Sequence, residues 1–329
     1  MKLLRIYDLL AQELEEIREM FDKELVCDVA CAADMLEQVG KFRGKMLRPI
    51  LVLLCGKACG SINHTHRVIA TVMEMIHMAT LVHDDVLDEA EYRRRGRTIN
   101  ALHSNEAAVL LGDMLISHAF HLCSSLETPL AARLIASTTN TVCEGELMQL
   151  YYCGYHELSE ERYLDIITRK TGCLIATCCY LGAQNAGADE NICRDLELFG
   201  RDIGVAFQII DDISDLVGDE RIAGKTLGSD IAMQKITLPG IHYLAHCRTE
   251  QGQWVRQVLT QQRRELFDQY VERLGQTGSI AYARQRAAEF IEQAKNHLPQ
   301  QLHAETSDIL RRLADSIIDE NSKKRTSTS

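Results

Sequence analysis

Four prolines and a single tryptophan in 329 residues leave little to interrupt long helices, and aromatic residues make up only 5% of the chain. Alanine, leucine, glutamate, glutamine, arginine and methionine are abundant instead, and all favour helix. The expected fold class is all-α. No stretch alternates apolar and polar residues as a half-buried strand would, and no segment repeats at a fixed period. The basic residues form no long stripe and the net charge is −11, so no nucleic acid is expected as a partner. No apolar run approaches the roughly 18 residues that a membrane span needs. Met1–Lys23 is amphipathic and acid-rich, unlike a signal peptide. No two of the twelve cysteines have the two-residue gap of a zinc or redox site. They read as small buried apolar residues in a reducing compartment. A cytoplasmic protein with no membrane span is the expectation.

At 46% hydrophobic the chain can bury a large core. Helical spacing of apolar residues predicts helices over 3–39, 49–60, 65–88, 105–126, 129–150, 159–187, 189–216, 250–275, 279–296 and 304–319. A glycine-flanked basic break falls at 40–49, a basic loop at Arg93–Arg97, and a glycine-punctuated loop at 218–240. No linker divides the chain. Residues 1–320 read as one helical domain, and 321–329 as a disordered polar tail.

Two of these helices end in acid. "LVHDDVLDEAEYRRRG" carries Asp84, Asp85 and Asp88 behind an apolar run, and "FQIIDDISDLVGD" carries Asp211, Asp212 and Asp215 at the same spacing. Independent draws at this composition give roughly 0.1 such matches per chain, so two are not casual. Residues four apart share a helix face. Carboxylates crowded there repel unless a hard cation lies between them, and oxygen-only ligands suit magnesium with a phosphate completing its shell. A metal-clamped diphosphate needs further cations. Candidates are Lys45 and Arg48 in the break, Arg93 and Arg94 after the first cluster, Lys170 with Thr171, and Lys225 and Lys235 after the second.

With these motifs the chain resembles the trans-type (E-type) polyprenyl diphosphate synthases, most of all the long-chain octaprenyl kind, over nearly its whole length. "RGKMLRP" is similar to the family's G-G-K-x-x-R-P; the two aspartate stretches resemble its two aspartate-rich motifs, and "GKTLGSDIAMQKITLP" the loop that follows. The resemblance implies a helical bundle around a central cavity, a homodimer, and prenyl transfer with two or three Mg2+ per site. It implies that Lys45, Arg48, His77 and Arg94 bind isopentenyl diphosphate. Asp84 and Asp88 with Asp211 would bind the metal, Asp215 is counted with them, and Asp85 and Asp212 support them. Arg93, Lys170, Thr171, Gln208 and Lys225 would hold the allylic diphosphate. Lys170 and Lys225 join the aspartates as catalytic candidates, and Lys235 joins the substrate residues by position. Departures are Arg43 in place of the first glycine, and Ala232-Met233-Gln234-Lys235 where acid and glycine are usual.

The implied reaction is repeated condensation of isopentenyl diphosphate onto an allylic starter such as farnesyl diphosphate. Growth is expected along the helix that ends in Asp84. Ala79 lies five residues upstream, roughly 7.5 Å along the axis. A small residue there, with Thr80, Ile76 and Cys123 beyond, leaves room for a long all-trans product around C40, for use as a quinone side chain. A shorter-chain geranylgeranyl or farnesyl diphosphate synthase is the alternative. A terpene cyclase would carry Asn, Ser and Glu in its second motif, and a non-catalytic partner subunit would have lost aspartates. "GDERIAGKT" has five residues between its glycines where a nucleotide-binding P-loop has four.

Overall fold

The computed structural model describes residues 2–41, 44–93, 96–155, 157–218 and 227–322. It is all-α: among the described residues the one sheet is a two-residue antiparallel pair, Tyr92–Arg93 with Gly96–Arg97. The helices that matter below are α1 (Lys2–Leu9), α2 (Ala11–Glu24), α3 (Ala30–Lys41), α4 (Leu47–Cys59), α5 (His64–Leu87), α6 (Ile99–Leu102), α7 (Asn105–Cys123), α8 (Pro129–Tyr152) and α9 (Glu160–Ile167). A π-helical turn, Thr168–Gly172, joins α9 to α10 (Cys173–Asn185), and α11 spans Glu190–Val217. The single helix expected over 3–39 is three helices, α1 to α3. The loop expected over 218–240 contains a short helix, Ser229–Ala232, and the start of another, Leu238–His246. The last helix, Ala304–Ser322, runs two residues into the expected tail.

Contacts group the chain into two compact units. The first holds Met1–Thr139, Leu174–Gly200 and His297–Leu313; the second holds Asn140–Cys173, Arg201–Asn296 and Ala314–Ser329. In the first, α5 packs along α7, α4 and α2. Its face toward them is apolar, with Val72, Met75, Ile76, Ala79 and Val82 buried. The stripe Leu10, Leu14, Ile17 and Phe21 on the α2 side is buried as well, at the spacing a helix requires.

A histidine ties this core together. His66 is buried on α5; its Nε2–H donates to the Gly182 carbonyl at 3.0 Å, and its Nδ1 accepts from the Asn63 amide at 3.2 Å. Burial pushes its pKa below the usual histidine value, so it stays neutral. Gly182 lets α10 approach α4: a Cβ there would lie 2.4 Å from the Val52 carbonyl oxygen. Gly182→Ala should therefore destabilise the protein by about 1–3 kcal/mol, the cost of forcing atoms into a filled core. Thermal unfolding checks this, and an unchanged melting temperature would mean that α4 and α10 can move apart freely.

By length and composition α7 is apolar enough to cross a membrane, a possibility the search for continuous apolar runs does not raise. It carries Glu106 and Asp113, and its Leu111, Leu115, Ala119 and Cys123 are buried in the first unit.

Candidate active site

The first unit contributes the end of α5. Along this helix His77, Thr80, Leu81, Asp84 and Asp88 are half-buried while the residues between them are mostly buried. Their spacing places them on one face, so α5 presents a single open stripe ending in the two carboxylates. Asp85 is different. It is buried, and Oδ1 accepts from both Nε and a terminal nitrogen of Arg93, each at 2.7 Å. Burial pushes the Asp85 carboxyl above its usual range, and the Arg93 guanidinium opposes that rise.

The chain after the cluster is pinned to α5. Asn100 Nδ2 donates to the carbonyls of Asp85 and Ala90, at 3.2 and 3.1 Å, and the Thr98 hydroxyl donates to Ala90 at 2.6 Å. Glu89 takes a left-handed φ of 49° to make the turn. The carboxylates Asp84 and Asp88 sit at the C-terminal end of α5, where the helix dipole disfavours negative charge. An arrangement that crowds like charges where the dipole also opposes them is suited to a bound cation.

The glycine-flanked break lies in the same unit. Met46 takes a left-handed φ of 54° as the residue before α4 and is buried, so it anchors the turn. Beside it Lys45 is exposed, and its carbonyl accepts from the Tyr7 hydroxyl at 2.6 Å. Arg48 is half-buried in the first turn of α4, and Pro49 follows where no backbone donor is needed.

The second unit contributes the end of α11. Asp211 is exposed, whereas Asp212 and Asp215 are 8% and 2% exposed. Both oxygens of each buried carboxylate are engaged. Asp212 Oδ2 accepts from the Tyr163 hydroxyl at 2.5 Å, and Oδ1 accepts from Gln208 Nε2 at 2.8 Å. The Thr171 hydroxyl in turn donates to Gln208 Oε1 at 2.8 Å. Asp215 accepts from the Ser229 hydroxyl at 2.7 Å and from the Asp230 amide at 3.2 Å, which fastens the chain after the second cluster. Asp211, like Asp84 and Asp88, stands near a helix C-terminus.

Lys170 lies in the π-helical turn and pairs with Glu146 of α8 at 2.6 Å. Gly145 makes this possible, since a Cβ there would meet the Lys170 backbone nitrogen at 2.6 Å. Lys235 is half-buried, and its amide donates to the Asp230 carbonyl at 2.8 Å. The unusual Gln234 before it adopts a left-handed φ of 54°, a conformation that suits glycine. Two contacts hold it there: its carbonyl accepts from the Gly154 amide at 3.1 Å, and its side-chain amide donates to the Thr260 carbonyl at 3.2 Å.

Arg94 and Lys225, both expected to hold diphosphate, lie outside the described residues, as does Arg43. Of the residues expected to set product length, Ala79, Ile76 and Cys123 are buried and Thr80 is half-buried. Sequence reasoning did not find Tyr163, Glu146, Asn100 or Ser229. Tyr163 occupies an ordinary apolar position on α9, and nothing in its neighbourhood marks it.

No three His, Cys, Asp or Glu side chains among the described residues converge on a common point. Asp84 and Asp88 in the first unit are half-buried and Asp211 in the second is exposed; each offers only oxygen, the donor that magnesium prefers.

Comparison with known proteins agrees with the motifs. The polyprenyl synthetase family matches residues 30–274. The octaprenyl diphosphate synthase of Escherichia coli K12 is 34% identical over 299 residues, covering 89% of this chain and 91% of that one. The geranylgeranyl pyrophosphate synthase of Geoglobus acetivorans is 33% identical over 291 residues, covering 85% and 88%. Among solved structures, a polyprenyl synthase from Caulobacter crescentus CB15 complexed with calcium and isoprenyl diphosphate superposes with a TM-score of 0.93 at 28% identity, covering 97% of this chain and 98% of that one. The chain therefore belongs to the polyprenyl synthetase family, and it is an enzyme of prenyl transfer, a prenyl diphosphate synthase.

Proposed function

We propose that the protein is a magnesium-dependent synthase that condenses isopentenyl diphosphate repeatedly onto an allylic diphosphate, farnesyl diphosphate as starter, to give a long all-trans product around C40. The observation that carries the reading is the division within each aspartate set. Asp84, Asp88 and Asp211 reach solvent, while Asp85, Asp212 and Asp215 are buried and hydrogen-bonded inside the protein. A pair of plain acidic helix ends would not sort this way twice.

A bound divalent cation neutralises the allylic diphosphate and makes it a better leaving group. The calcium and isoprenyl diphosphate in the Caulobacter neighbour support a cation beside such a substrate. Two or three Mg2+ would act in this way, with Asp84 and Asp88 as ligands from the first unit, Asp211 as a ligand from the second, and Arg93 and Lys170 on the diphosphate. Asp215 we assign to the supporting group, because both its oxygens are engaged. The hydroxyl proton of Thr171 is committed to Gln208, so its oxygen lone pairs remain to stabilise developing positive charge on the allylic carbon. Lys45, Arg48 and His77 would hold isopentenyl diphosphate. Incubating the pure protein with Mg2+, isopentenyl diphosphate and farnesyl diphosphate and sizing the products tests the reading. A cyclic hydrocarbon, or no consumption of isopentenyl diphosphate, would overturn it.

The two diphosphate roles separate kinetically. Lys45→Ala should raise the KM for isopentenyl diphosphate by about tenfold or more, because it removes a charge-assisted contact made in ground and transition state alike. The KM for the allylic substrate should stay the same. A change confined to the allylic substrate would reverse the assignment of the break at Lys45.

A homodimer belongs to the same reading; Val109 and Leu110, exposed on α7, are apolar side chains that such an interface could cover. The reading places the enzyme in the cytoplasm, where its twelve cysteines would stay reduced. Residues 1–320 would act as one catalytic domain.

A further inference from the structure

Tyr163 is buried on α9, and the proposed chemistry gives it no role. Its hydroxyl lies 2.5 Å from Asp212 Oδ2. Burial first, then the charges of Asp212, Asp230 and Asp211, push its pKa well above the ordinary tyrosine value. The phenol therefore keeps its proton and can only donate. Eight residues on, at the far side of the π-helical turn, Thr171 donates to Gln208, and Gln208 donates to the other Asp212 oxygen. The stretch 163–171 thus grips one oxygen of the carboxylate directly and braces Gln208, which holds the other. The turn that separates the two grips is π-helical, a form often kept at functional positions.

Asp212 is next to the exposed Asp211 on α11. A buried carboxylate oxygen that loses its donor is costly and turns toward water. Asp211 shares that backbone, so a shift in the seat of Asp212 also moves the carboxylate beside it.

We propose that Tyr163 is a positioning residue for cation binding: by anchoring Asp212 inward it fixes the part of α11 that presents Asp211. The inference rests on the prenyltransferase reading, since it assumes that Asp211 serves a metal-bound diphosphate. It predicts that a hydroxyl remote from substrate tunes metal affinity.

The test uses the full-length chain and Mn2+ as probe, with inorganic diphosphate present, following free Mn2+ by its spin resonance. Tyr163→Phe should raise the Mn2+ dissociation constant about tenfold, the effect of one lost hydrogen bond to a charged group. The Mg2+ concentration for half-maximal activity should rise in parallel, and the KM for isopentenyl diphosphate should not move. Adding Tyr163→Phe to Asp212→Asn should cost less than about threefold more, since the two act through one contact. A lower melting temperature with unchanged Mn2+ affinity would overturn the proposal and leave Tyr163 a packing residue. If Tyr163→Phe does not fold, Asp212→Asn alone should show the same loss, and unchanged affinity there overturns the proposal too. Wild-type protein that neither binds Mn2+ with diphosphate nor transfers prenyl groups would bring down the functional reading itself. Wild-type binding with no difference in the variant brings down only the role of Tyr163.

Discussion

Asp211→Ala should lower the turnover of prenyl transfer by about a thousandfold or more while the melting temperature changes little. Electrostatic stabilisation of charge developing on the leaving group is usually the largest single contribution to such catalysis. Asp211 is the one exposed carboxylate of the second cluster. Removing an exposed surface side chain costs little stability. Asp84→Ala should behave in the same way. The contrast with Asp215→Ala makes the prediction sharp. That change strips the acceptor from the Ser229 hydroxyl and the Asp230 amide, so it should destabilise by about 1–3 kcal/mol. Steady-state kinetics at saturating Mg2+ beside thermal unfolding separates the two classes. Near wild-type turnover in Asp211→Ala would sink the proposal that both clusters serve one reaction.

Spacing made the two clusters legible, because a helix must bring residues four apart to one face. Spacing could not tell which of the three carboxylates in each cluster reaches solvent. That depends on partners from elsewhere in the chain: Arg93 for Asp85, Tyr163 and Gln208 for Asp212, Ser229 for Asp215. Tyr163 and Asp212 are 49 residues apart, and an apolar helix position gives no hint of a buried phenol–carboxylate bond. Gln234 was visible as a departure from the family pattern, and the structure supplies its physical meaning. It holds a glycine-like backbone conformation through two contacts with Gly154 and Thr260. The all-helical class was legible from composition, whereas the breaks after Leu9 and Glu24 were not. The buried apolar stripe Ile6, Leu10, Leu14, Ile17 and Phe21 runs across the first of them without losing its period.

Ala79→Tyr should shorten the main product to C15 or C20. On the proposed reading a growing chain could leave Asp84 by either of two routes along α5. The open stripe passes Thr80 and His77, which are polar and suit a diphosphate better than a hydrocarbon. The apolar route passes between α5 and α7, along Ala79, Ile76 and Cys123, all buried. A growing prenyl chain gains by burial only on the second route, at roughly 25 cal/mol for each Å2 of apolar surface removed from water. Ala79, Ala119 and Cys123 are small and buried, and α5 also carries the buried Met73, Met75 and Met78. Methionine changes rotamer easily, so such a wall can part for a ligand. Replacing Ala79 by tyrosine puts a ring across this route about one and a half turns from the carboxylates, and chain growth should stop after few additions. The first condensation should survive, because neither the aspartates nor Lys45 and Arg48 are altered. Since Ala79 is fully buried, the ring must also displace neighbours, at a cost of about 1–3 kcal/mol. The melting temperature should fall by a few degrees along with the change in product. Chromatographic sizing of the products beside a melting curve decides the matter: a less stable enzyme that still makes the wild-type chain length would place the route elsewhere, with Thr80 the next residue to change.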